Sequence, residues 1–227
     1  MPASRSLILA SLRRSLAAAR LPEPPAAPRL PPSLVPRLPL LIEQFRAELE
    51  TLGGLFIAER VDTAAVRVAE LIRERSAAEI VAWQAESLPA PGLLDHLRRE
   101  RIKIVGAEVP PEDPARSHSL AQVERIAIGL TGADAALADT GTLALRSGPG
   151  RPRLASLSVQ THIALFTPDQ LHESWEAWWR AMPSRAAWVS EASSVSLISG
   201  PSRTADIEMT LTVGVHGPGE VIAILVQ

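Results

Sequence analysis

The chain of 227 residues contains no cysteine, and that absence excludes more than any residue present. Without thiolates there is no disulfide framework, no structural cysteine zinc site and no cysteine nucleophile. An iron–sulfur cluster held by this chain alone is close to excluded on the same ground, because such clusters take several cysteine thiolates. Any redox role then depends on a partner or a diffusible cofactor. Lysine is nearly missing too: Lys103 is the single one among 23 basic residues. With heavy alanine and proline usage, that bias reads as GC-rich codon usage rather than a guanidinium-built site. The formal net charge of −2 and a pI near 6.2 leave no basic field for a phosphate backbone, so no nucleic-acid partner is expected. No run approaches the ~18 consecutive apolar residues of a membrane span. Leu7, Ile8, Leu9 and Leu12 form only a short apolar stretch before Arg13 and Arg14, which argues against a secretion signal and for a cytoplasmic protein.

What is present fits one globular domain with an extension. Apolar residues make up 46% and charged residues 21% of the chain. Residues 4–20 can form a short amphipathic helix through Leu9, Leu12 and Leu16. Eight of the twenty prolines then fall between Leu21 and Pro39, marking an extended arm. The division is therefore an N-terminal helix and proline-rich arm over 1–39 and a domain over 40–227. From Leu40 helices and strands alternate: helices over 40–52, 62–75 (capped by Asp62) and 92–100, and strands over 55–58, 79–83 and 102–106. A further helix capped by Ser117 or Ser119 runs to Gly129. This order predicts crossover units and a mostly parallel sheet. Beyond residue 130, strands are expected over 133–138, 143–146, 163–167, 195–199 and 221–226. A helix over 168–181 carries Trp175 and Trp179 on one face.

Three segments hold more polar chemistry than folding needs. Asp139-Thr140-Gly141-Thr142, with Ser147-Gly148-Pro149-Gly150 close behind, offers backbone N–H groups and hydroxyls to a phosphate or carboxylate. Thr140-Gly141 also suffices for a plain hairpin turn. Ser199-Gly200-Pro201-Ser202-Arg203-Thr204 leaves a strand end, where open α/β sheets place ligand crevices, and Asp206 and Glu208 follow two residues apart. A capped turn with solvated acids is the alternative. In Gly214-Val215-His216-Gly217-Pro218 a histidine stands among glycines, suited to proton transfer or anion contact, or simply structural. His162, at the start of an apolar strand, reads as a satisfied, partly buried imidazole, and His96, His118 and His172 as surface residues. No histidine pair has metal-ligand spacing, so no metal site is expected.

In order, Ala138-Asp139-Thr140-Gly141-Thr142-Leu143, Ser147-Gly148-Pro149-Gly150, His162-Ile163-Ala164, the run Ile198–Glu208 and Gly214–Pro218 resemble the LUD-domain (lactate utilization) family, in its protein C branch. The resemblance implies a three-layer α/β/α sandwich related to the sugar-phosphate isomerase and CoA-transferase superfamily. It implies a non-cluster subunit working beside iron–sulfur partner proteins that together oxidise L-lactate to pyruvate. Carried over by position, it places Asp139, Thr140, Thr142, Ser199, Ser202, Thr204, Asp206, Glu208 and His216 in a pocket for a small carboxylate or phosphate. Of these, Asp206, Glu208 and His216 are the candidates for moving protons. No Glu-Asn-Gly nucleophile segment of a CoA transferase is present, and the second half has no lysine to serve a sugar-phosphate isomerase. A ligand sensor without chemistry, or an autonomous transferase or isomerase on phosphorylated or CoA-linked substrates, are the alternative readings.

Overall fold

A computed structural model describes residues 2–18, 37–106, 109–110, 112–205 and 211–227. Most of the proline-rich arm therefore lies outside the described residues. The chain divides into two compact units, Met1–Leu34 and Val35–Gln227. In the first, Pro2–Ala18 forms helix α1, on which Leu7, Ile8, Leu9, Leu12 and Leu16 are exposed.

In the second unit, α2 (Leu38–Thr51) leads through Gly53-Gly54 to β1 (Leu55–Glu59), followed by α3 (Ala64–Glu74), β2 (Glu79–Ala82), α4 (Leu93–Arg99), β3 (Lys103–Val105) and α5 (Ala115–Val123). Then come β4 (Ile128–Gly132), β5 (Ala135–Leu137), β6 (Thr142–Ser147), α6 (Leu154–Leu157) and β7 (Thr161–Phe166). Next are β8 (Leu171–His172), α7 (Trp175–Ala181), α8 (Arg185–Ser190) and β9 (Ser194–Ile198). The hairpin β10 (Arg203–Ala205) and β11 (Leu211–Val213) precedes β12 (Glu220–Val226). Six strands form one wholly parallel sheet in the order β1-β12-β7-β4-β2-β3. Every residue from Val221 to Val226 and from Thr161 to Phe166 is buried. Since alternate side chains point to opposite faces, both faces of this sheet are covered, which is the expected layered α/β arrangement. On one face Phe45 of α2 packs against Phe56 and Phe166, with ring centroids 5.9 and 5.2 Å away.

A second sheet, β8-β5-β6-β9, is laid against the first. Its alternation sorts side chains cleanly: Ala136, Leu143 and Leu145 join the main core, while Ala135, Leu137 and Ala144 gather around Trp178. Trp175, Met182 and Trp188 close that smaller cluster, and Trp175 stacks on Trp179 at 5.4 Å as their spacing predicts.

The departures from the sequence reading have local causes. Asp62 does not cap α3; it pairs with Arg60 at 3.0 Å, and Thr63 stands at the helix start without a side-chain cap. Ser117 sits inside α5 and donates its hydroxyl to Asp113, at 2.6 Å. The helix expected to reach Gly129 stops at Val123, and the central strand β4 follows. Its Ile-Gly-Leu-Thr-Gly sequence hides it, yet the glycine is required. A Cβ on Gly129 would be driven into the Ala155 carbonyl oxygen of α6. The helix expected over 168–181 is broken in two. Thr167 and Gln170 form a capping box, the Gln170 amide donates to the Ala133 carbonyl at 2.7 Å, and Leu171-His172 then pairs with β5 before Ser174 caps α7.

Candidate functional site

The β5–β6 hairpin ends in two places of different chemistry, and the expected site residues divide between them. At its turn, Gly141 has φ +58° and no Cβ, which lets the loop seat directly on the backbone of Glu48 and Leu49 in the last turn of α2. β9 pairs antiparallel with β6 so that Leu143 faces Ile198, bringing Ser199 beside Thr142. Their hydroxyl oxygens are 2.7 Å apart, Thr142 donates to the Thr140 hydroxyl at 2.8 Å, and Thr140 donates to the Asp139 carboxylate at 3.1 Å. An ionised carboxylate can only accept, so this run of hydroxyls is polarised from Ser199 toward Asp139. Burial lifts the Asp139 carboxyl above its ordinary value; the Thr140 hydrogen bond opposes that, and Glu176 and Glu173 add to it.

The other two loops meet the same end of α2. Gly200 sits against Leu52, and the Arg203 guanidinium donates to the Leu52 carbonyl. The Ser202 N–H donates to the Pro218 carbonyl at 2.8 Å, and the Ser202 carbonyl accepts from Gly214 N–H at 2.9 Å. Gly217 approaches the Ser202 side chain from the other side. Pro201 and Thr204 are half-buried between them, and His216 is exposed. The structure thus brings Asp139, Thr140, Gly141, Thr142, Ser199, Gly200, Ser202, Arg203 and Gly217 together, near the amino ends of β1 and β12. Asp206 and Glu208 lie outside the described residues.

Ser147 and Gly148 do not join them. They stand at the far end of β6, where the sequence reading had set aside a guanidinium-built site and missed three residues. Asp134, directly before β5, accepts a hydrogen bond from the Arg146 backbone N–H at 2.6 Å and from the Arg151 guanidinium at 2.9 Å. Arg151 also donates to Ser87 Oγ at 3.0 Å and lies 5.3 Å over the Trp83 ring; Arg146 lies 5.7 Å over Trp188. Arg146, Ser147, Gly148, Pro149, Arg151 and Glu191 line a concavity of about 360 Å³. The hairpin register was the available signal. Ala135 pairs with Ala144, which sets Asp134 opposite Leu145 and one residue from Arg146 once the turn at Thr140 is accepted.

His162 is fully buried rather than partly, with Nε2 2.8 Å from the Thr131 hydroxyl and no partner for Nδ1 among the described residues. Burial drives its pKa from 6.5 to about 3, so the fold holds it neutral. Of the histidines read as surface residues, His118 is exposed, but His96 and His172 are half-buried, and burial lowers the His172 pKa. Among the described residues no helix is long and apolar enough to cross a membrane.

A family model of the LUD domain matches residues 42–226. The chain belongs to the LUD domain family. Its relatives include a lactate utilization protein C from Halalkalibacterium halodurans, 33% identical over 170 residues that cover 74% of this chain and 71% of that protein. A second, from a Geobacillus species, is 31% identical over 73% of this chain and 71% of its own length. Among solved structures, a DUF162 family protein from Deinococcus radiodurans superposes with a TM-score of 0.61 at 24% identity, over 85% of this chain and 99% of that one. That likeness bears on the fold. The family resemblance read from the sequence motifs therefore holds, and LUD-domain residues include both ends of the hairpin.

Proposed function

We propose that this LUD-domain chain is the non-cluster component of a lactate-utilization system that oxidises L-lactate to pyruvate beside iron–sulfur partner proteins. Its own part is to hold a small anionic ligand. L-Lactate gives up two electrons and two protons in becoming pyruvate, and a chain without cysteine has no thiolates to bind a cluster that would carry those electrons. The supporting observation is similarity across most of the chain to proteins named lactate utilization protein C.

Deleting the gene is expected to abolish growth on L-lactate while leaving growth on pyruvate intact, and the tagged protein is expected to co-purify with cysteine-rich iron–sulfur proteins. Normal growth of the deletion strain on L-lactate would remove the reading.

A further inference from the structure

We infer that the concavity between Arg146 and Arg151 is the anion site, and that it takes a small monocarboxylate. The inference rests on the proposal that this chain holds a small anion, and it gives that anion a place. The loop cluster at the other end of the hairpin has largely satisfied its own polar groups. This concavity has not.

Charge decides the ligand class. Two guanidiniums, with side chains 26% and 28% exposed, share one carboxylate, that of Asp134, which is 12% exposed. Glu191 reaches Arg146 only at 3.8 Å and is 71% exposed, so solvent screens it. Of the two acids only Asp134 is largely buried against the guanidiniums, with Glu191 out on the rim, so the inner wall keeps an excess of positive charge that a monoanion matches better than a dianion. Geometry agrees. Each guanidinium carbon lies over an indole ring, 5.7 Å from the Trp188 centroid for Arg146 and 5.3 Å from the Trp83 centroid for Arg151, which restrains its planar fork before a ligand arrives. A carboxylate matches such a fork. Arg151 uses Nε on Ser87 and Nη1 on Asp134, leaving N–H groups uncommitted. The Ser147 hydroxyl, on a residue only 4% exposed, lines the same wall. It can meet a hydroxyl or keto oxygen beside the carboxylate.

Position agrees as well. Trp83 and Gln84 follow β2, Asp134 follows β4, and the Gln84 N–H donates to the Gly150 carbonyl at 2.8 Å. The concavity therefore lies beyond the carboxyl ends of two adjacent parallel strands, where open α/β sheets put their ligands. A larger hollow of about 470 Å³ opens at the amino ends, lined by Arg75, Lys103 and Arg125. There Arg75 is paired with Glu220 and Lys103 with Glu79, at 3.1 Å for the latter, and Arg125 is exposed to solvent.

The test is calorimetric titration of the full chain with L-lactate, pyruvate, acetate and inorganic phosphate. Saturable binding of pyruvate or L-lactate is expected, weakened at least tenfold by Arg146→Gln and by Arg151→Gln, with the exposed neighbour Arg153→Gln unchanged. Because Arg151→Gln leaves Asp134 without its guanidinium, the paired variant Arg151→Gln with Asp134→Asn removes both charges together and keeps the test available. Indole fluorescence gives a second reading, since a ligand between the two arginines should change emission from Trp83 and Trp188. Unchanged affinity in the arginine variants would overturn the location while leaving the anion-binding role intact. Phosphate binding as tightly as pyruvate would overturn the monocarboxylate assignment. No binding by the unsubstituted protein would overturn the inference outright, whereas the growth phenotype on L-lactate tests the pathway role separately.

Discussion

The two ends of β6 are built from opposite materials. At Thr142 the polar groups are hydroxyls that satisfy one another in a line ending on Asp139, beside loops tied down by backbone hydrogen bonds. At Ser147 they are full charges: two guanidiniums over aromatic rings, one largely buried carboxylate between them and the exposed Glu191 on the rim. Neutral hydroxyls in a closed run hold loops in place and ask for nothing further. Two guanidiniums that share one largely buried carboxylate leave a field that another molecule can complete. Polar richness in a sequence is therefore a poor guide to a ligand site unless the count of partners is known.

Three measurements press on this comparison. The largest effect is expected from Asp134→Ala, which leaves two guanidiniums and the Arg146 N–H without their shared acceptor. It should cost about 3 kcal/mol in urea unfolding. A loss no greater than that of an ordinary surface substitution would mean that the two arginines are already neutralised by solvent. Next comes acid sensitivity from His162, which lies on β7 within the parallel sheet. Between pH 6.5 and about 3 the unfolded chain binds a proton that the folded one refuses, so stability falls as pH drops through that window. The slope is up to about 1.4 kcal/mol per pH unit. His162→Gln should flatten that slope whatever it does to stability at neutral pH. A slope that persists in the variant would place the acid-labile group elsewhere. The smallest effect is expected from Thr142→Val, which interrupts the hydroxyl run and should cost about 1 kcal/mol without altering pyruvate affinity. A lost affinity there would shift the ligand to the turn end.

Much of the architecture was legible because burial on both faces leaves uninterrupted apolar runs. The Val-Ile-Ala-Ile-Leu-Val of β12 and the Ile-Ala-Leu-Phe of β7 announce themselves. β4 did not, since its two glycines answer to crowding by α6 at Gly129 and by the Ser87 carbonyl at Gly132, tertiary facts with no local trace. The same holds for the site. Thr140, Thr142, Ser199 and Ser202 were visible as motifs, and pairing of β6 with β9 does bring them together. Arg146 and Arg151 were hidden by composition: in a chain whose cations are nearly all arginine, no single arginine stands out. Only the hairpin register and the placement of Trp83 and Trp188 set these two apart. The break after Thr167 was equally illegible, because Gln170 is held by Ala133, far away in sequence.

The strand order carries one more consequence. In the large sheet β1 has a single neighbour among the described residues, and that neighbour is β12. The earliest strand of the unit thus waits, with both edges bare, while every other strand of the sheet is synthesised. Such pairing closes the longest loop the fold contains and is slow by its topology. During that interval Leu55–Glu59 is a sticky segment awaiting its mate. On the ribosome, chaperone occupancy should therefore centre on this stretch, and its release should coincide with the emergence of Glu220–Val226.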